Sequence, residues 1–168
     1  MITDNTDSIG IDIGGVIIDR INDKTDTSFF GENYLSTTPV PDAIESIKRL
    51  VDERFGLNAY VVSKAGLKTE KRSREWLKYH NFYKITGIAE DRIIFCRERS
   101  EKAAICIKHN ITHFVDDRLE VLSYLKSVPH KFLFKGGGRD LERHKEFLPL
   151  VCMVESWAEV LQKISKGV

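Results

Sequence analysis

Short, almost unbroken apolar runs alternate along this chain with longer stretches whose apolar positions recur every three or four residues. Residues 8–13, 58–63, 92–96, 111–115, 130–134 and 150–154 are of the first kind, five or six residues long and rich in Ile, Val, Phe and Leu. Runs of that length and composition predict buried strands. Between them, Pro41-Asp42-Ala-Ile-Glu45 opens a helical pattern that carries Ile44, Ile47, Leu50 and Val51 on one face and stops near Gly56. Asp42 and Glu45 stand at the spacing of a capping box. Further helical patterns run over 68–80, 100–109 and 119–125, with Trp76, Leu77 and Leu67 expected inward on the first. A last one begins at Ser156-Trp-Ala-Glu159, again at capping-box spacing. The apolar run Val16-Ile17-Ile18 is expected to continue the first strand past its glycines, and residues 20–40 read as a loop or small flap.

Strands that are apolar on both faces and alternate with single helices predict a parallel sheet covered on both sides. The expected fold is α/β: a Rossmann-like three-layer sandwich around a central parallel sheet of about five strands. The 168 residues are expected to form one domain with no full cap domain. In such sheets ligands gather outside the carboxyl ends of the strands, so the residue following each strand is a candidate for chemistry.

Those positions hold Asp12, Ser63 and the pair Asp116-Asp117, while Lys102 opens the helix that leads into the Asp116 strand. Asp12 is delivered by an apolar strand straight into Gly14-Gly15. A carboxylate there costs free energy unless something pairs with it. Two or three carboxylates together make the hard, oxygen-rich ligand set that suits magnesium. A serine hydroxyl and a lysine ammonium suit phosphate oxygens, and glycines let backbone N–H groups approach an anion closely. Each residue alone has an ordinary structural explanation: a turn aspartate, a cap serine, a solvated lysine, a helix-capping acidic pair. Together they favour a metal and phosphate site.

Composition narrows this further. The net charge of +1 hides a gradient: residues 1–63 carry five basic and eleven acidic side chains, residues 64–110 twelve basic and six acidic. Solvated helix faces account for such a gradient. A basic rim drawing anionic substrates toward an acidic centre accounts for it too. The basic segment 64–84 contains Trp76, Tyr79, Phe82 and Tyr83, modest support for nucleic-acid binding, although helical spacing puts Trp76 and Tyr79 in the core. No run is long enough to span a membrane, and the polar, acidic N-terminus predicts no secretory signal. Cys96, Cys106 and Cys152 read as free buried thiols, so the cytoplasm is the expected compartment.

The order and spacing of Asp12-Ile-Gly14-Gly15-Val, Ser63, Lys102 and Asp116-Asp117 resemble the four motifs of the haloacid dehalogenase superfamily, most of whose members are phosphatases. The resemblance implies Asp12 as the nucleophile of an aspartyl-phosphate intermediate, and Ser63 and Lys102 as phosphoryl-binding groups, joined by Gly15 and Lys64. It implies Mg2+ held by Asp12, the Gly14 carbonyl, Asp116 and Asp117. The implied substrate is a phosphorylated small molecule or nucleotide, and a capless member either takes exposed phosphoesters or closes its site as a homo-oligomer. The chain departs from the pattern at Gly14, where the family's phosphatases usually carry a second aspartate that protonates the leaving group and activates water. His80 and His113 are replacements by residue type only. The alternative is a module that binds metal or a phosphorylated ligand without turnover. Ile9-Gly-Ile-Asp12-Ile-Gly-Gly is also similar to the first phosphate motif of sugar-kinase and actin-like ATPases, but 168 residues are too few for their two domains.

Overall fold

The structure is a computed structural model, and it describes residues 6–20, 29 and 31–167. Six strands form one all-parallel sheet: β1 (Ile9–Ile11), β2 (Ala59–Lys64), β3 (Ile93–Cys96), β4 (His113–Asp116), β5 (His130–Phe134) and β6 (Cys152–Val154). Their order is β3-β2-β1-β4-β5-β6. The chain therefore builds outward from β1 in one direction, then returns to the other side of β1 and builds outward again. That reversal opens a crevice between β1 and β4 at their carboxyl ends, the place where doubly wound sheets bind ligands. Ile11 pairs with Val61 on one side and with Val115 on the other. The next residues, Asp12 and Asp116, are thus neighbours across the crevice, and Ser63 stands one residue beyond Asp12's level on β2.

Helices cover both faces. On one face α1 (Ala43–Leu50), α2 (Leu67–Tyr79), α3 (Phe82–Thr86) and α7 (Trp157–Ser165) bury Ile47, Trp76, Phe82, Trp157 and Val160 against Ile9, Ile11, Val61, Val115 and Phe132. On the other, α4 (Glu101–Lys108) and α5 (Leu119–Tyr124) bury Cys106, Leu119 and Leu122 against Val62, Phe114 and Leu133. This alternation of strand residues between two apolar layers is what the unbroken apolar runs require. Gly10 serves the second layer: a methyl group there would lie 2.5 Å from the ring of Phe114, so only glycine lets that ring lie across β1.

The all-parallel sheet of six strands bears out the expected parallel sheet of about five. Several other sequence expectations need correction. Val16-Ile17-Ile18 does not prolong β1. The N–H groups of all three turn back to the Ile13 carbonyl, at 2.8–3.2 Å, and fold residues 13–18 into a tight turn. Those residues are apolar because the turn is buried, with Trp157 Nε1 donating to the Val16 carbonyl at 2.9 Å. The Asp42–Glu45 capping box is not formed: Asp42 has φ 63° and no side-chain capping bond. At α7 the Ser156 hydroxyl does accept from the Glu159 N–H at 3.2 Å. Leu67 is exposed on α2, as is Tyr79, while Trp76 and Leu77 are buried. The short α3 and α6 (Gly138–Arg143) had no periodic signal long enough to read. Much of the expected 20–40 loop falls on residues 21–28 and 30, outside the described residues. Among the described residues no helix is long and apolar enough to cross a membrane.

Candidate metal and phosphate site

The carboxyl ends of β1, β2 and β4 open into a cavity of about 230 Å³, lined by Asp12, Gly14, Ser63, Lys64, Lys102, Asp116 and Asp117 among others. All of the expected site residues but Gly15 line it. At its centre lies Lys102, reaching in from the first turn of α4 and only 2% exposed. Its Nζ donates to Asp12 Oδ1 at 3.0 Å and to Asp116 Oδ2 at 2.8 Å. It also stands 5.6 Å from the centre of the Phe114 ring, the ring that Gly10 admits. Burial alone would drive the ammonium toward neutrality, but the carboxylates of Asp116 and Asp12 outweigh it and hold Lys102 firmly charged.

The acidic groups are the site's distinguishing feature. Asp12, Asp116 and Asp117 each offer an oxygen such that all three lie within 4.8 Å of one another. Asp116 is fully buried; its Oδ1 accepts from the Arg118 N–H at 3.0 Å while its Oδ2 takes Lys102. Burial and the neighbouring charge of Asp12 raise the Asp116 carboxyl above its ordinary range, against the pull of Lys102. Asp117 is raised as well, by burial first and then by repulsion from Asp12 and Asp116, partly offset by Arg118 and Arg20. One buried ammonium cannot neutralise three crowded carboxylates. The deficit, together with the all-oxygen donor set, fits a hard divalent cation such as magnesium.

Asp117 owes its position to two backbone features. Gly15 has φ 78°, and a methyl group on it would stand 2.5 Å from Asp117 Oδ2. The Gly15 N–H, expected to face an anion, instead donates to the Ile18 carbonyl at 2.9 Å and closes the turn. Gly15 is therefore a space-maker for Asp117. From the other side, Asp140 on α6 caps α5: its two carboxylate oxygens accept from the Leu119 N–H at 2.6 Å and the Glu120 N–H at 3.0 Å. Asp140 thereby fixes the segment directly after the acidic pair. A lone aspartate beyond a glycine turn gave no sequence signal for this role: Asp116 takes the Arg118 N–H, and Asp140 takes the next two N–H groups of α5.

Ser63 is buried at the end of β2 and, among the described residues, its hydroxyl has no hydrogen-bond partner within the protein. Lys64 is exposed beside it. Neither histidine replaces the family aspartate absent at Gly14. His80 bonds the Leu35 carbonyl through Nε2 at 2.8 Å and stacks on Trp76. His113 is buried in β4, stacked on His130 and bonded to the Thr112 hydroxyl. Trp76 and Phe82 are core residues and present no face to a base. Sequence reasoning also missed three cavity-lining arginines, Arg20, Arg99 and Arg118. Of these only Arg118, adjacent to the acidic pair, stood where strand-end reading could have found it.

Comparisons with known proteins agree with this geometry at the level of fold. No protein-family model matches the chain, and no curated protein matches it. Among solved structures, it is similar to a crystal structure described as a putative haloacid dehalogenase-like hydrolase from Burkholderia xenovorans LB400. The TM-score is 0.63 at 11% identity, over 95% of this chain and 98% of that one. The six-stranded parallel sheet, with acidic residues at the β1–β4 crevice, thus has the fold of the haloacid dehalogenase-like hydrolases.

Proposed function

We propose that the protein is a magnesium-dependent phosphoester hydrolase that works through an aspartyl-phosphate on Asp12. The observation that carries the reading is the convergence of three carboxylates within 4.8 Å of one another, balanced by one buried ammonium. Asp12, Asp116 and Asp117 would hold the metal, with Gly14 contributing its carbonyl. When bound, the metal supplies positive charge to the phosphoryl oxygens and to the crowded carboxylates. Asp12 is the nucleophile: its carboxylate oxygen forms the new O–P bond as the ester P–O bond breaks and the alcohol departs. Water then attacks phosphorus and releases phosphate, restoring the carboxylate. Lys102 orients Asp12 through its 3.0 Å bond, and Ser63 and Lys64 bind phosphoryl oxygens.

The leaving alcohol needs a proton, and Gly14 carries no acid to give it. No histidine lines the cavity among the described residues. Activated esters, whose leaving groups need no proton, are therefore the better substrates. The same observation favours a second reading, a module that binds metal and a phosphorylated ligand without turnover. Aryl phosphate cleavage with and without Mg2+ decides between them. Turnover that needs magnesium and disappears in Asp12→Asn, with the circular dichroism spectrum retained, supports the hydrolase. Absence of turnover by the unaltered protein, with magnesium-dependent binding of a phosphate analogue, supports the module.

A further inference from the structure

We infer that the outer face of α2 binds a single-stranded nucleic acid whose terminal phosphate enters the cavity. The inference rests on the phosphoester reading and names its substrate class, a strand end. Lys64 stands exposed on the cavity wall, and Gly66 and Thr69, at the start of α2, line the same cavity. From that mouth α2 carries Lys68, Lys71 and Lys78, all exposed. Helical geometry gathers these three within a sector of about 80°. That sector faces away from Ser73, Trp76 and Leu77, the buried side of the helix. A helix of 13 residues carries the row about 20 Å from the cavity, room for several nucleotides. A phosphate at a strand end reaches Asp12 without threading the chain through a cavity of about 230 Å³.

The charges of this row are not offset within the protein. Among the described residues, the ammonium groups of Lys64, Lys68, Lys71 and Lys78 make no hydrogen bond and no ion pair. Both carboxylates of α2 are engaged elsewhere. Glu70 holds Arg74 at 3.4 Å and Arg97 at 2.9 Å, and Glu75 accepts from the Tyr34 hydroxyl. The end of α1 shows the ordinary solvated arrangement: Lys48 pairs with Asp52 and Arg49 with Glu53, each four residues on. On α2 the lysines are left as like charges along one face, which suits a regular polyanion that gives up its counterions on binding. At the far end Tyr79 is 62% exposed, where helical spacing had put it in the core. Its ring meets His80 edge-on at 5.2 Å and otherwise stands open. Lysines alone suit any polyanion, but a lysine row that ends on an open aromatic ring suits one that carries bases to stack there. A row one helix wide matches a single strand.

The test is fluorescence anisotropy of a dye-labelled oligothymidylate, without a terminal phosphate, titrated with the full chain over a range of salt. The expected result is binding that weakens as salt rises. The triple variant Lys68→Gln, Lys71→Gln, Lys78→Gln, whose glutamines keep helix propensity, is expected to bind about tenfold more weakly or worse, with the salt slope reduced by about two. Tyr79→Leu is expected to weaken binding about threefold or more and to leave the slope unchanged, because it removes stacking and no charge. In magnesium, a phosphate added at the 5′ or 3′ end is expected to tighten binding further, and the end that does so is the one the cavity takes. Absence of binding, binding that the triple variant does not weaken, or a terminal phosphate without effect at either end overturns the proposal. Polyglutamate bound as tightly as the oligonucleotide, with Tyr79→Leu silent, shows a general polyanion surface and overturns it too. Aryl phosphate turnover is followed separately. Turnover without strand binding removes this inference alone, whereas strand binding that needs the lysines and Tyr79, without cleavage of any ester, leaves the surface standing and removes the hydrolase reading.

Discussion

Replacing Lys102 by Met tests the electrostatics of the site most directly. The thioether follows the path of the lysine stem and fills nearly the same volume, so packing against Phe114 is largely kept and the change is one of charge. The wild-type ammonium is 2% exposed and bonds Asp12 and Asp116 at 3.0 and 2.8 Å. Removing one partner of a buried ion pair costs about 3–5 kcal/mol, because the charges left behind stay desolvated. In a domain of this size each kcal/mol lowers the melting temperature by about 2–4 °C, so a fall of about 6–20 °C is expected in EDTA near pH 8. Two controls separate charge from packing. Saturating Mg2+, which brings positive charge to the same carboxylates, is expected to recover more stability in the variant than in the wild type. In an Asp116→Asn background, with one carboxylate already neutral, the cost of Lys102→Met is expected to fall by more than about 1 kcal/mol, read as the coupling of a double-mutant cycle. Urea denaturation followed by circular dichroism supplies all four free energies. A cost below about 1 kcal/mol, or the same cost in both backgrounds, would refute the account of Lys102 as the counter-charge of the site.

Three further outcomes follow from the same geometry. Gly14→Asp is expected to fold, since its first side-chain atom meets nothing closer than Arg20 Cδ at 3.4 Å, and to raise turnover of an unactivated alkyl phosphate about a hundredfold or more; an unchanged rate removes Gly14 as the missing acid. Asp140→Ala is expected to cost about 1–2 kcal/mol as a lost cap and to weaken magnesium binding in a calorimetric titration, and an unchanged affinity would show that the cap does not position Asp117. In EDTA, stability is expected to fall as pH rises. The folded-state carboxyls of Asp116 and Asp117 are raised to about 6 and about 8, so the native protein holds more protons than the unfolded chain above about pH 4, and this favourable contribution is lost as pH climbs through those values. Magnesium should flatten that slope; a rising or flat urea midpoint in EDTA between about pH 5 and pH 8 contradicts the assignment.

The sheet and its acidic edge were legible because both are written in short, local patterns. Ile9–Ile11 and His113–Asp116 are buried on both faces, and a carboxylate at the end of such a run has few structural reasons to be there. What was not legible depends on contacts distant in sequence. Val16-Ile17-Ile18 has a strand's composition, but burial beneath Trp157 drives it into a turn. Gly15 has an anion-binding glycine's composition, yet its N–H closes that turn and its missing side chain makes room for Asp117. Asp140 is an unremarkable polar residue until α6 brings it against the start of α5. Arginines on the cavity rim look like any solvated arginine when read one by one, and only the fold collects them.

The protein's two tryptophans give it a built-in optical probe. Both indoles are fully buried, and each donates its N–H to a backbone carbonyl between β1 and α1: Trp157 to the Val16 carbonyl at 2.9 Å, Trp76 to the Thr37 carbonyl at 2.8 Å. Native tryptophan emission therefore comes from buried chromophores tied to the backbone at Val16 and Thr37. Fluorescence titrations can accordingly follow the surroundings of these two contacts as ions and phosphate analogues are added, without an attached dye, and a red shift preceding the loss of ellipticity would mark their release ahead of the sheet.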